Sequence, residues 1–304
     1  MTTTYAIIGT GVVGERIIQQ IIQHDGSAIT AIFDENTERL QQMAAKYDVQ
    51  AVDSLDALFA TNPDWVYIGT PPVSHASLTS EAAKRGFNVL CEKPLAHDAA
   101  DGEAMVEAAK YVTTAMHFPM MYSPVVARLK EAVQRGELGD IVRIELHTHF
   151  PVWPRPWQQN PWIATREQGG FIREIFPHYL QLTHHIFGDV AIDAHATQYP
   201  ANEALCETAV SALMHTASGI PMLVNGVAGI AQQERIDYKV YGTNKSMIIR
   251  NWGQLLETTA QTAEVEVAVQ PATFTFLDAC ASETNVVTFE EGLKVQLWID
   301  ELLK

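Results

Sequence analysis

The hexapeptide Gly9-Thr10-Gly11-Val12-Val13-Gly14 carries glycine at its first, third and sixth places. Between a strand and a helix, that spacing suits the pyrophosphate of a dinucleotide. The first glycine permits a tight turn, the second lets the backbone approach the phosphates, and the third lets helix and strand pack closely. The helix start, with Val12 and Val13 in its first turn, offers N–H groups and the positive end of a dipole. An acid about 20 residues on completes the pattern, and Asp34 stands there with Glu35 beside it. A carboxylate at that point accepts bonds from ribose hydroxyls and repels a 2′-phosphate. NAD is therefore expected over NADP, although Asp34 also suits a helix cap ahead of 37–47. The nearest base is Arg39.

Hydride transfer from an alcohol needs a base for the hydroxyl proton and a donor or cation for the developing alkoxide. Lys93, between Glu92 and Pro94, closes the apolar stretch 88–91, so its ammonium stands at a strand end. His178 has an intrinsic pKa suited to proton exchange. Glu174 precedes it by one helical turn and can orient the ring. A surface lysine and a purely structural Glu174–His178 pair are the plainer alternatives. Glu174, His178, Gln181 and His185 fall on one helical stripe. With no cysteine ligand and no HExxH spacing there, no metal is expected. The segment 151–162 is dense in proline and tryptophan. Trp157 and Trp162 offer faces for sugar C–H groups, and Arg155 can pair with a carboxylate, as can Arg166 and Arg173 around Gly169-Gly170. Equally, the tryptophans can anchor a long loop.

The elements that must position these groups follow from the periodicity. Apolar runs at 5–8, 28–33, 65–68, 88–91 and 113–116 alternate with helical patterns at 12–22, 37–47, 74–85 and 98–111. That alternation predicts a parallel, doubly covered sheet of Rossmann type. A short strand at 50–52 would make a sixth. After residue 120 the pattern changes. A helix opens at Pro124, a half-buried strand covers 141–150, a helix spans 174–187, and several strands run between 191 and 276 without helices between them. The second half is thus a mostly antiparallel sheet with helices, closed by a helix at 290–303. Two domains are expected, 1–119 for the dinucleotide and 120–304 beyond it.

Composition narrows the class. The 304 residues carry 36 acids against 20 bases, a net charge of −16, with 47% apolar residues. A net anion without a basic patch excludes nucleic acid as partner. No apolar run approaches the roughly 18 residues of a membrane span. The start of the chain lacks the basic stretch of a secretory signal. Cys91, Cys206 and Cys280 are odd in number and far apart, which fits a reducing cytoplasm.

Three further motifs make a family visible: Thr70-Pro71-Pro72-Val73-Ser74-His75, Cys91-Glu92-Lys93-Pro94, and Gly169-Gly170 ahead of Glu174 and His178. With the glycine hexapeptide they resemble the Gfo/Idh/MocA family of NAD(P)-dependent oxidoreductases over essentially the whole chain. The resemblance implies that 120–304 is an α/β domain with an open, mostly antiparallel sheet for substrate binding and oligomerisation, with a homodimer or homotetramer built on that sheet. It also implies a small-molecule substrate such as a cyclic polyol, a sugar derivative or a related carbonyl compound. It places Thr70, Pro71 and His75 beside the nicotinamide, and Glu92 and Lys93 at the reacting carbon. Glu174 stands where the family commonly has aspartate, and Gln181 where a second aspartate is frequent. Pro119 and Met121 replace a common asparagine and arginine. Those departures leave two alternatives: a reductase of a non-sugar ketone or imine, and a non-catalytic dinucleotide sensor.

Overall fold

The structure is a computed structural model that describes residues 2–158 and 160–304; Met1 and Gln159 lie outside the described residues. The chain divides into two compact units, Met1–Phe118 with Phe274–Gln296 and Pro119–Thr273 with Leu297–Lys304.

The first unit holds five strands, β1 (Thr3–Ile8), β2 (Ser27–Phe33), β3 (Trp65–Ile68), β4 (Asn88–Glu92) and β5 (Thr114–His117). All pair in parallel, in the order β2-β1-β3-β4-β5. The order reverses at β1, which leaves a crevice beyond the carboxyl ends of β1 and β3. Five helices link the strands: α1 (Val12–Gln23), α2 (Thr37–Tyr47), α3 (Leu55–Phe59), α4 (His75–Lys84) and α5 (Ala99–Ala108). β3 is buried along its whole length, as a strand covered on both faces must be. On α1 the buried Gly14, Ile17, Ile18 and Ile21 follow the helical period. The expected strand at 50–52 is a single bridge, Ile32 to Ala51. It stops there because Asp53-Ser54 turns the chain into α3, with Ser54 Oγ capping Ala57 N–H.

The second unit opens with α6 (Pro124–Gln134) and carries α7 (Phe171–Phe187). Its strands are β6 (Ile141–Phe150), β7 (Val190–Gln198), β8 (Ala209–Thr216), β9 (Pro221–Ala228), β10 (Arg235–Gly242), β11 (Ser246–Arg250), β12 (Gln254–Thr258) and β13 (Val265–Glu266). They form one sheet ordered β13-β12-β11-β10-β6-β9-β8-β7. Every pair is antiparallel except β6 with β9. On β8 the residues Val210, Ala212, Met214 and Thr216 point into the core while Ser211 and Leu213 point out. That alternation marks a sheet with one covered face. α7 lies on the covered face, where Phe171 reaches Gly226 of β9 and Tyr179 stacks on Tyr238 of β10 at 5.9 Å.

A single division at 119/120 does not foresee the return of Phe274–Gln296 to the first unit. This segment holds α8 (Phe276–Ser282) and the start of α9 (Phe289–Leu302). Val287 C=O accepts from Met116 N–H at 2.7 Å, and Gly292 of α9 abuts Met116. The open edge of β5 thereby gains a backbone partner, which an edge strand requires if it is to stay unpaired with other chains.

Candidate active site

The glycine hexapeptide bridges the end of β1 and the start of α1. Gly9 sits at φ +91°, and a Cβ there would meet the Gly69 backbone at 2.8 Å. A Cβ on Gly14 would collide with Gly9 C=O. Gly11 differs, for a Cβ there would meet nothing within 4 Å. Packing therefore explains the outer two glycines, whereas the middle one keeps the backbone open to a ligand. Gly11 is also the N-cap of α1 and offers no side-chain cap. The first N–H groups of α1, those of Val12 and Val13 among them, are left to be met by an anion. These residues fit a dinucleotide.

Asp34 directly follows β2 and holds this turn from the side. Its Oδ2 accepts from Thr10 N–H at 2.7 Å and Thr10 Oγ1 at 2.8 Å, and its Oδ1 accepts from Asn36 N–H at 2.8 Å. The α2 cap is supplied by Asn36, not Asp34, because the Asn36 side chain accepts from Arg39 N–H. Arg39 faces Glu15 at 2.6 Å and Thr10 C=O at 2.8 Å. Lys46, Arg39 and Tyr47 together hold Glu15 down to about 2. Arg39, the base nearest Asp34, is thus engaged with Glu15 and Thr10. Glu35 is exposed beside Asp34, and both line an open depression of about 570 Å³ that also includes Asp53.

Lys93 directly follows β4, at the same sheet edge as the glycine turn. Behind it Glu92 is 8% exposed and accepts from Tyr67 Oη at 2.9 Å and His117 Nδ1 at 2.6 Å. Burial works to raise the Glu92 carboxyl, but His117, Lys93 and Tyr67 hold it below its ordinary value. Gly69 is required here because a Cβ would meet the Tyr67 ring at 2.5 Å. Thr70 and Pro71 form the turn after β3. His75 is wholly buried, with Nε2 at 2.9 Å from Thr70 C=O and Nδ1 at 3.1 Å from Leu95 C=O. Both ring nitrogens lie against backbone carbonyls, and because burial pulls the imidazole's pKa down, one of them donates. His75 therefore ties the β3 turn to the β4 turn and offers no surface to a cofactor, in contrast to the expected contact.

In the second unit, Gly169 and Gly170 lead into α7, with Gly170 as its N-cap. A Cβ on Gly169 would strike Ile163 C=O, and Gly170, at φ +98°, leaves room for the Glu207 carboxylate. Glu207 Oε1 accepts from Ile172 N–H at 2.7 Å, so this buried acid caps α7 from outside the helix. Burial pushes its carboxyl up. Glu174 and His178 are half-buried, and the His178 ring meets Trp252 edge to face at 5.1 Å. Further along the stripe Gln181 is buried, and His185 contacts Lys130 at 2.9 Å and is pushed down by burial to about 4. Among the described residues, the side chains close enough to share a cation are His97, Asp98 and Asp101, within 4.8 Å of one another. There Asp98 caps α5 by accepting from Asp101 N–H at 2.9 Å.

The proline- and tryptophan-rich loop splits by role. Arg155 is buried beneath the rings of Phe150, Trp153 and Trp157 and lies 3.2 Å from Glu234. Glu234 lies outside the loop, and Arg155 Nη2 is buried without a hydrogen-bond partner. Arg173 donates to Arg166 C=O at 2.8 Å, and Arg166 lies 3.8 Å over the Tyr199 ring. Trp153 packs on Phe150 and Phe171, which anchors the loop. Trp157 is 59% exposed and Trp162 half-buried. Sequence reasoning missed Tyr67, His117, Glu207 and Trp252. The available signals were polar groups ending the apolar strands β4 and β5, and an Asn-Trp-Gly turn.

A model of the oxidoreductase family with NAD-binding Rossmann fold matches residues 3–117, and a model of the GFO/IDH/MocA C-terminal domain matches residues 126–248. The chain is 27% identical to D-apiose dehydrogenase of Paraburkholderia graminis over 226 residues, which are 72% of this chain and 59% of that protein. It is 22% identical to inositol 2-dehydrogenase of Rhizobium meliloti over 262 residues, 83% of this chain and 76% of that protein. It spans less than two thirds of the length of several curated relatives. An oxidoreductase from Agrobacterium radiobacter, solved with NAD+, L-tartaric acid and magnesium, shares the fold with a TM-score of 0.83 at 19% identity. The match covers 99% of this chain and 95% of that one. Among the described residues, no helix is long and apolar enough to cross a membrane.

Proposed function

The chain belongs to the Gfo/Idh/MocA family of oxidoreductases, and from that premise we propose that it transfers a hydride between NAD(H) and a cyclic polyol, a sugar derivative or a related carbonyl compound. The observation that carries this reading is the edge of the parallel sheet. There the open Gly11 turn, the Asp34 carboxylate and Lys93 all follow strand ends of one unit.

NAD bound there supplies the hydride acceptor. Gly11, Val12 and Val13 would offer N–H groups to its pyrophosphate, Asp34 and Glu35 would meet the ribose hydroxyls, and Thr70 and Pro71 would flank the nicotinamide. Lys93 donates to the substrate oxygen as negative charge builds on it. His178 takes up the hydroxyl proton in oxidation and returns it in reduction, with Glu174 as its orienter. Trp157 and Trp162 offer rings for the apolar faces of a sugar.

Reduction of a ketone or imine is a second reading, favoured by one observation. Met120 and Met121 are 6% and 8% exposed, so the turn after β5 buries apolar side chains. We also infer assembly as a homodimer or homotetramer through the open sheet face, where Leu213 is 53% exposed. Three free, buried cysteines fit a reducing cytoplasm.

The test is a screen of the purified protein with NAD and NADP against cyclic polyols, sugars, sugar acids and their ketones. NAD reduction on polyols or sugars supports the main reading, and turnover on ketones or imines alone supports the second. NAD binding without turnover on any of them would make the protein a sensor.

A further inference from the structure

The turn between β11 and β12 holds Asn251 at φ +46° and Trp252 at φ +75°. A bulky residue at positive φ is strained, and glycine adopts that conformation without penalty. Gly253 stands one place further on, so the strain is not forced by a shortage of glycine in the turn. Strain of this kind persists where the surroundings over-determine it, and it clusters at functional sites.

The surroundings do so here. Asn251 N–H donates to Ile236 C=O at 2.8 Å, and Asn251 Oδ1 accepts from Ile236 N–H at 2.9 Å. The turn is thereby pinned to β10. The Trp252 ring then lies 5.3 Å from Tyr179 and 5.1 Å from His178, perpendicular to the imidazole at 89°. Tyr179 is fully buried and stacked on Tyr238, whose hydroxyl lies 3.0 Å from Thr183 Oγ1. A rigid aromatic floor thus fixes the indole, and the indole meets the imidazole.

We propose that Trp252 is a positioning residue for His178: the strained turn holds the indole against the imidazole and fixes the plane in which that ring exchanges its proton. The proposal rests on the reading that His178 handles the substrate proton. Glu174, one turn earlier on α7, is the other group assigned to that ring. Orientation of a catalytic group is worth large factors in rate, since a displacement of about 1 Å can cost 100-fold.

Two measurements decide it. In the first, tryptophan emission is followed against pH. Imidazolium quenches an indole in contact, and His184 beside Trp298 at 5.9 Å gives a background common to all variants. The Trp252 signal is therefore read as the difference between wild type and Trp252→Phe, and its quenching step is lost in His178→Asn. A step in that difference that survives in His178→Asn overturns the proposal, and so does its absence from the wild type. This arm needs no substrate, so it decides the coupling even if the screen for hydride transfer fails. In the second, Trp252→Gly removes the ring together with the strain. We expect kcat to fall by about 10- to 100-fold, with NADH affinity and the circular-dichroism melt retained, and Trp252→Phe to recover most of the loss. A glycine variant with kcat within about twofold of wild type, well inside the loss a mispositioned group causes, overturns the proposal.

Discussion

Glu92 Oε1 and His117 Nδ1 stand 2.6 Å apart across paired strands, at the edge from which Lys93 projects. The pair is almost wholly buried, with Tyr67 donating to the same oxygen at 2.9 Å. A buried carboxylate survives ionised only when such partners offset its desolvation. Glu92 is therefore the fixed charge beside the lysine, and His117 is what keeps it ionised.

That relationship predicts a pH effect. The folded state holds the Glu92 carboxyl below its ordinary value, despite the opposing effect of burial. Its contribution to stability is complete above the unfolded carboxylate range and is lost as pH falls through the folded value. His117→Phe removes the largest opposing influence. It should cost about 3–5 kcal/mol near neutral pH and shift the acid limb of the stability curve upward. Urea melts across pH measure both, and a variant with an unchanged acid limb would contradict the assignment.

Cofactor choice should follow Asp34. Wild type is expected to bind NADH at least about tenfold more tightly than NADPH, a difference of about 1.4 kcal/mol, by fluorescence titration. Asp34→Ser should narrow that ratio. It should also weaken NADH, because Thr10 N–H and Oγ1 lose their acceptor and the glycine turn loosens. Equal affinity of the wild type for both cofactors would contradict the role of Asp34.

Glu207 should separate its shape from its charge. Glu207→Gln keeps an acceptor for Ile172 N–H, whereas Glu207→Ala leaves that donor unmet and should cost about 1–3 kcal/mol. Burial raises the Glu207 carboxyl in the folded state. Its contribution is thus largest at low pH and declines as pH rises from the unfolded to the folded value. The glutamine variant should lose this decline and match or exceed wild-type stability at neutral pH. Thermal melts of both variants across pH check the point; similar losses in both would contradict it.

Arg155 and Trp157 should respond oppositely. Arg155→Met strips the charge from three aromatic contacts and should lower stability by about 1–2 kcal/mol. Trp157→Ala, at a ring 59% exposed, should leave the melt nearly unchanged and act on substrate KM instead. A stability loss confined to Trp157→Ala would reverse these roles.

Much of this was legible from residues alone. Gly9, Gly14 and Asp34 announce themselves because backbone approach and ribose contact demand particular residue types at fixed spacing. The parallel strands show as apolar runs because both faces are covered. What stayed hidden is non-local. Glu207 caps α7 across 35 residues of sequence, which no local pattern encodes. His75 looks like a ligand by type and position, yet it is buried with its ring nitrogens against backbone carbonyls. The left-handed Trp252 breaks the turn preference that would have predicted glycine, and the return of Phe274–Gln296 depends on a strand edge that only the folded sheet defines.

Lys93 is where the account is most exposed to test. The decisive measurement compares wild type with Lys93→Met on the best substrate from the polyol and sugar screen, recording kcat from NAD reduction and NADH affinity by titration. The account predicts a loss in kcat of about 100-fold or more with NADH affinity retained, because the methionine keeps the volume and removes the charge at the substrate oxygen. A Lys93→Met enzyme that turns over near the wild-type rate would contradict it.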